Sequence, residues 1–501
     1  MSLLGVDVGT SALKVVAFRV DDGSAIASAR RNYESTYPQP GWMELDPELV
    51  WRAFVAAVRE VTARPPVRQD PVVAMTLSVS CDEVIPVDAA GHSLGPCIMA
   101  PDTRGSDLLD EVAGLLPATE ELYARTGLPL SPIHPVVRIR WYQRHEPAIA
   151  AAAVSWLGWG ELILSRLGLP AVSDETTAGR WLAFDVVDRS WLPGVLEALG
   201  ISSAVPAVAS PGMPIATLGA AGETLGLGPD VVVVAGAFDQ VCAALGAGLA
   251  EPGDVVVGSG TWENTTLVLD RPLEEAARER GLTWGRFPGD RYSALIMNPG
   301  GGAVVRWFRE QLGQPVATPD RASDVMPNVS GRGRPQSGDA IPLFLPHLAG
   351  SLAPWRDPAS RGAFVGLTLR TTREDIRRSV LEGITFELRL NLEHLPDSPA
   401  LRLPVRNTGG GSRSPEWVQL KADVLGMPIA TMTEAEPGCL GAAILAGIGA
   451  GLFADARTAQ DAWCRPDRIF EPDPSRHAHH DARFGLYRQL YPAIRRIPAA
   501  T

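Results

Sequence analysis

A chain of 501 residues, 46% hydrophobic and 20% charged, has the balance of a folded protein with room for two large domains, not of a disordered segment. Its net charge of −12 argues against a nucleic-acid or anionic-membrane surface, and nearly all of its positive charge is arginine, Lys14 and Lys421 being the only lysines. Five scattered cysteines (Cys81, Cys97, Cys242, Cys439, Cys464) form no C-x-x-C pair, so neither a disulfide framework nor a zinc site is signalled and a reducing cytoplasm fits. No charged segment followed by an apolar run opens the sequence, so no secretory signal is expected. The longest apolar run, Cys439 to Ala454, is rich in Gly and Ala and short for a membrane span; it predicts a buried helix.

In chain order, Leu3 to Val8 reads as a strand running into Gly9-Thr10-Ser11, and Val15 to Val20 as a returning strand that ends in an Asp21-Asp22-Gly23 hairpin turn. Backbone N–H groups around such a loop make a concavity suited to phosphate oxygens, and Asp7 just before it can hold a magnesium ion through water; an ordinary hairpin with a polar turn is the alternative. Asp46-Pro47-Glu48 is a helix start leading into Val50 to Val61. Val72 to Val79 is a strand, followed by Ser80-Cys81-Asp82-Glu83 and a second strand ending at Asp88. Asp82 is either a carboxylate lining a polyol site or a solvated turn residue.

Val231 to Gly248 centres on a β-branched run bounded by Gly236, then an apolar helix opening at Val241 to Leu245. Asp239 sits at the strand-to-helix turn, where it can cap the helix or act as a catalytic base at the carboxyl end of a strand; this stretch alone leaves both open. The Ala247 to Gly253 stretch breaks the pattern and predicts a hinge. The opening motif then recurs: Asp254 to Val257 as strand, Gly258-Ser259-Gly260-Thr261 as loop, Thr265 to Leu269 as returning strand. Two such units, one opening each half, suggest a duplicated α/β domain whose halves face one nucleotide. Farther on, Gly409-Gly410-Gly411 removes every Cβ that would keep backbone from a phosphate or ribose, and Ser414-Pro415-Glu416 starts a helix. Lys421 inside that helix reads as a surface cation, and His477, His479 and His480 as a solvated tail rather than a metal site. Neither lysine fits a G-x-x-x-x-G-K-[ST] loop and no G-x-G-x-x-G follows the first strand, which disfavours a P-loop or a Rossmann dehydrogenase.

GVDVGTSALK, GAFDQV, VGSGT, RGAFVGLTLRTTREDIRRSVLEG and NTGGGSRSPEWVQLKADVLGMPI together resemble the FGGY family of carbohydrate kinases, from Gly5 to about Gly451. The most specific stretch is Gly362 to Glu382; a shorter one, Pro135 to Trp141, fits with Arg138 where the family usually has lysine. The resemblance implies an α/β, two-domain actin/hexokinase-like (ribonuclease H-like) duplicated fold with an interdomain cleft. Its expected parts are a sugar-binding, catalytic half at 1–247 and an ATP-binding half at 253–501. It also implies the site. Asp239 is the base that deprotonates the attacking hydroxyl; Gly9, Thr10, Ser11, Gly260 and Thr261 form the phosphate loops; Gly301, Gly409, Gly410, Gly411 and Ser412 take the nucleotide; Cys81, Asp82 and Asp102, with Asp239, bind substrate; Asp7 holds magnesium through water. ATP and Mg2+ are the implied cofactors, a small sugar or polyol the partner, with no nucleic acid or membrane, a cytoplasmic location, and a homodimer by family habit.

The departures concern substrate. Cys81-Asp82 replace the Met-His pair of xylulose kinases, the acid of the Arg-Glu pair of glycerol kinases survives, Ala100 stands where a tryptophan precedes Asp102-x-Arg104, and Gly350 to Pro354 replaces Gly-Glu-Arg-x-Pro. An extra carboxylate at Asp82 is expected to repel an anionic acceptor such as gluconate, which makes a neutral ketose or polyol the expected substrate, and the likeness to pentulose kinases in length and pattern makes D-xylulose the lead. The alternatives are L-ribulose, another polyol, gluconate, a non-sugar signalling molecule, or a non-catalytic ATP-dependent sugar sensor.

Overall fold

The computed structural model describes residues 1–202, 204–312, 341–395 and 399–497. In the first half, Ser2–Val8 (β1), Ala12–Arg19 (β2), Ala25–Asn32 (β3), Pro47–Thr62 (α1), Val72–Val79 (β4), Pro135–His145 (α2), Glu175–Ala178 (α3), Pro214–Thr217 (β5) and Val232–Phe238 (β6) precede the helix Asp239–Gly246 (α4). In the second, the strands are Asp254–Ser259 (β7), Glu263–Leu269 (β8), Thr283–Phe287 (β9), Arg291–Asn298 (β10), Arg402–Thr408 (β11), Ile429–Met432 (β12) and Pro466–Phe470 (β13). The helices that matter there are Gly302–Leu312 (α5), Arg373–Glu393 (α6), Pro415–Leu425 (α7), Pro437–Gly449 (α8) and Pro474–Tyr487 (α9).

The duplication expected from the two loops is present in the sheets. The first runs β5-β6-β4-β1-β2-β3 and the second β9-β10-β8-β7-β11-β12-β13. Each has a central strand (β1, β7) paired antiparallel to the next strand and parallel to a later one (β4, β11), with a further parallel strand beyond it (β6, β12). The central parallel strands of the first sheet are apolar, as strands covered on both faces must be; β4 (VVAMTLSV) is buried along nearly its whole length. Helix starts follow their sequence signals. Asp46 caps α1 with Pro47 at its first position, and Thr372 and Asp375 close a capping box on α6.

Helices α4 and α8 follow corresponding strands and cross between the sheets. Their crossing needs glycine: a Cβ on Gly441 would lie 1.8 Å from the Cys242 carbonyl oxygen, and one on Gly246 2.0 Å from that of Pro437. Although α8 comes late in the chain, it packs on the first sheet, where Cys439, Leu440, Ala443 and Ile444 join Leu3, Val16, Phe18 and Ala74. Conversely, Tyr123, Ala178, Phe184 and Val186 from the first half complete the core around β7 and β8. The halves therefore interlock across the Ala247 to Gly253 crossover, where Gly248 and Gly253 take positive φ and Leu249 is fully buried.

Gly441→Ala is expected to lower stability by about 1–3 kcal/mol or more through overpacking at the crossing. Gly485→Ala, on α9 where a Cβ meets nothing within 4 Å, is expected to be neutral or to stabilise by up to about 1 kcal/mol. Chemical denaturation of the two variants checks the contrast.

Candidate active site

The first loop, Gly9-Thr10-Ser11, joins β1 to β2; the Gly9 N–H donates to the Ala12 carbonyl at 3.1 Å, and Thr10 and Ser11 are exposed. Asp7, near the end of β1, accepts from Ser78 Oγ at 3.0 Å and lies 3.7 Å from Lys14 Nζ, which also pairs with Glu436 at 2.7 Å. The start of α8 presses on this carboxylate: a Cβ on Gly438 would sit 3.3 Å from its Cγ. Burial raises the Asp7 carboxyl above its usual range, with Lys14 pulling the other way.

The second loop joins β7 to β8, and the N-terminal turn of α5 holds it, the N–H groups of Gly302 and Ala303 donating to the carbonyls of Gly260 and Thr261 at 2.9 Å. The glycine run after β11 comes against the same loop. A Cβ on Gly409, which has φ +80°, would lie 2.9 Å from the Ser259 carbonyl oxygen, and one on Gly411 2.6 Å from Ser259 Cβ. A Cβ on Gly301 would lie 2.5 Å from Trp262. Ser412 Oγ donates back to the Gly409 carbonyl at 2.7 Å. Gly260, Thr261, Gly301, Gly409, Gly410, Gly411 and Ser412 thus form one glycine-lined surface of the kind that backbone can bring close to phosphate.

Asp239 is the first residue of α4, not its cap. Phe238 holds the cap position, and the Asp239 carboxylate accepts from Gln240 Nε2 at 3.1 Å, with the Gln240 backbone N–H also favouring its charged form. Gln240 Oε1 accepts in turn from Asn264 Nδ2 on β8 at 3.3 Å, which ties Asp239 to the strand leaving the second loop. Asp239 is half-buried, and its carboxyl is pushed up to about 7 by burial and by the charge of Asp7, with Asp82 adding to the effect. A carboxyl poised there suits a general base working near neutral pH.

Asp82 is neither a solvated turn nor a free charge. It is buried, with φ +71°, and makes a bidentate pair with Arg180, each contact 3.1 Å; His134 lies 3.8 Å away. Burial alone raises its carboxyl, but Arg180 and His134 outweigh this and hold it down at about 2. The expected repulsion of anionic acceptors loses its physical basis, because the charge is neutralised by its partner. Arg138 on α2 holds this wall: its guanidinium donates to the carbonyls of Asp82, Ile98 (2.9 Å), Met99 (2.8 Å) and Ala100 (3.1 Å). Asp102 is closed off, accepting from Arg104 and from the Met43 N–H at 2.6 Å, while Arg104 stacks 3.9 Å over Trp42. Cys81 is buried beside Thr177, and burial pushes its thiol up, which makes it inert.

Two further readings need correction. Lys421 is not a surface cation; it is buried against Glu263. The histidines do not form a solvated tail: His477 and His480 lie on α9, His477 bonded to the Asp423 carbonyl at 2.9 Å and His480 to Glu382 at 2.9 Å. No cluster of three or more metal-ligating side chains occurs among the described residues. Arg180 and His134 were not singled out from the sequence. An arginine inside the apolar run Ala178 to Phe184 was the available signal, since a buried guanidinium requires a carboxylate or carbonyl partner.

Residues 2–246 match the N-terminal domain of the FGGY family of carbohydrate kinases, and residues 255–450 its C-terminal domain. A gluconokinase of Bacillus subtilis is 29% identical over 91% of this chain and 88% of its own length. A glycerol kinase of Gloeobacter violaceus is 31% identical over 94% and 92%. The crystal structure of ligand-bound xylulose kinase from Lactobacillus acidophilus superposes with a TM-score of 0.87 at 25% identity, covering 99% of each chain.

The shifted carboxyl has a stability consequence. The folded state keeps the Asp239 proton up to about 7, whereas the unfolded chain releases it near 3.8. Between those values the folded state binds more protons, so stability falls as pH rises through the window. Asp239→Asn is expected to be the more stable protein at pH 8, by up to about 4 kcal/mol before screening by cleft water, and to lose that advantage toward pH 4. Denaturation curves at the two pH values check it.

Proposed function

Because the chain belongs to the FGGY family of carbohydrate kinases, we propose that it transfers the γ-phosphate of ATP to a hydroxyl of a neutral ketose or polyol, D-xylulose being the first candidate. The observation that carries this reading is Asp239, a carboxyl poised near neutrality at the start of α4 and tied through Gln240 and Asn264 to the second glycine-bordered loop. In the transfer, Asp239 takes the acceptor's hydroxyl proton as that oxygen forms its bond to the γ-phosphorus and the bond to the β-phosphate oxygen breaks, releasing ADP. The N–H groups of the two loops orient the phosphates. Asp82, Arg180 and His134 line the acceptor side.

Magnesium fits these residues. Asp7 and Asp239 are hard oxygen donors whose mutual repulsion helps to raise the Asp239 carboxyl, and a divalent cation would relieve it. When bound, it supplies charge neutralisation of the phosphate oxygens. The proposal includes a cytoplasmic place of action and a homodimer; no helix among the described residues is long and apolar enough to cross a membrane.

Gluconate is a second reading, opened by one observation. The bidentate Arg180–Asp82 pair cancels the carboxylate charge that was expected to repel an anionic acceptor, so that pair no longer disfavours gluconate.

ATP turnover with magnesium against ketopentoses, ketohexoses, pentitols, glycerol and gluconate tests the assignment. One neutral ketose or polyol is expected to be phosphorylated well, with kcat/KM rising tenfold per pH unit as Asp239 ionises and levelling at or below about 7, because magnesium beside Asp7 and Asp239 favours the ionised carboxyl. Asp239→Asn is expected to lose roughly 10²-fold to 10⁴-fold in kcat. Faster turnover of gluconate than of any neutral acceptor moves the substrate to the second reading. No turnover with any of them contradicts both.

Arg180→Met is expected to raise the acceptor KM by at least about tenfold, because it leaves Asp82 buried without its partner, with little change in the KM for ATP. Steady-state kinetics with the best acceptor checks the split.

A further inference from the structure

The second loop stands on a buried ion pair. Ser259 and Glu263 are register partners across β7 and β8, at the two ends of the Gly260 to Trp262 turn, so their side chains leave the same face of the sheet. Lys421, midway along α7, enters between them. Its Nζ donates to Glu263 Oε2 at 2.5 Å and to the Ser259 hydroxyl, and Ser259 Oγ donates to the same Glu263 oxygen at 3.0 Å. Asn407 on β11 adds a third side, its Nδ2 donating to Ser259 Oγ at 2.9 Å and to the Val257 carbonyl at 2.8 Å.

The same network reaches the glycine run. The Lys421 ammonium lies 4.6 Å over the Trp417 ring. Trp417 Nε1 donates to Thr385 Oγ1 on α6 at 3.2 Å, and its indole lies so near Gly411 that a Cβ there would meet it at 2.9 Å. One set of contacts therefore touches the turn after β7, the glycines after β11 and the long helix α6.

Stability alone does not account for this arrangement. The Lys421 and Glu263 side chains are 1% and 0% exposed, and a buried ion pair is often no more stable than well-packed apolar residues of the same volume. The network is also not closed on itself. Glu263 Oε1, Asn407 Oδ1 and, on the strand paired with Glu263, Asn298 Nδ2 are buried without partners among the described residues, leaving polar capacity beneath the loop.

We propose that Lys421 is a positioning residue for the nucleotide: by pinning Ser259 and Glu263 it fixes the spacing between the Gly260–Thr261 turn and the Gly409–Gly411 run, and so sets where the phosphates lie. Lys421 itself touches no reacting atom. The inference rests on the reading of these two segments as the nucleotide site.

The test is binding of ADP with magnesium to the full-length protein by calorimetry, which requires no acceptor. Lys421→Met combined with Glu263→Met removes both charges at similar volume and is expected to weaken ADP binding tenfold or more. Ser259→Ala, which removes the hydroxyl at the centre of the network and strands no charge, is expected to weaken it threefold or more with its melting temperature kept. With the best acceptor, both are expected to raise the KM for ATP while the acceptor KM stays within twofold, a split that general loosening of the fold would not give. A loss below threefold in the folded double variant overturns the proposal; where that variant does not fold, an unchanged affinity in Ser259→Ala does so. Failure of the parent protein to bind ADP would overturn the nucleotide assignment itself, and the role of Lys421 with it.

Discussion

The contact on which the rest depends is the crossing of α4 and α8. Each helix follows the last parallel strand of its sheet, and the two approach so closely that the backbone of one occupies the space a side chain would need on the other, at Gly246 and Gly441. Close packing at this point has a geometric result. The first residue of α4 is Asp239, and the first turn of α8 lies on the Asp7 carboxylate, so two acids from different strands come within electrostatic reach of each other. Their parent strands β6 and β1 flank β4 in the first sheet, and the crossing seats α4 and α8 over that sheet. The glycines thus link sequence to chemistry through packing.

Charge is arranged differently on the two sides of Asp239. Toward the loops, Asp7 and Asp239 are acids raised by burial, with Lys14 shared between Asp7 and Glu436. Such a site is short of positive charge, as one that must receive a nucleotide with its cation should be. Toward α2 and α3, the acid is already matched: Asp82 is held ionised by Arg180 and His134, and the wall that carries it hangs from the Arg138 guanidinium. That side offers fixed, directional hydrogen-bonding groups, the means by which a neutral hydroxylated ligand is recognised. The interlocking of the halves, with Tyr123 and Phe184 in the second core and α8 on the first sheet, ties both sides to one scaffold.

Much of this was legible before any coordinates. The repeated strand, Gly-Thr loop and returning strand exposed the duplication, whereas Asp239 at its strand-to-helix turn read equally as a helix cap or a base until the family resemblance favoured the base. What escaped was pairing across sequence distance. Asp82 read as a free acid because Arg180, 98 residues later, carries no pattern of its own. Lys421 read as solvated although it falls on the buried stripe of α7 with Trp417, Val418, Ala422 and Leu425, a helical spacing that places it inward. His480 shares a face of α9 with the buried Phe484 and Tyr487, which a composition-based reading of a polar segment overlooks.

The central claim is that one phosphoryl-transfer site is assembled from both halves around Asp239. A crystal structure with magnesium, a non-hydrolysable ATP analogue and the best acceptor tests it most directly. The expected result has the phosphates between the Gly9–Ser11 and Gly260–Thr261 loops and the acceptor hydroxyl about 2.6–3.2 Å from the Asp239 carboxylate, in line with the γ-phosphorus. A nucleotide seated away from those loops, or an acceptor whose hydroxyls all lie beyond reach of Asp239, would contradict it.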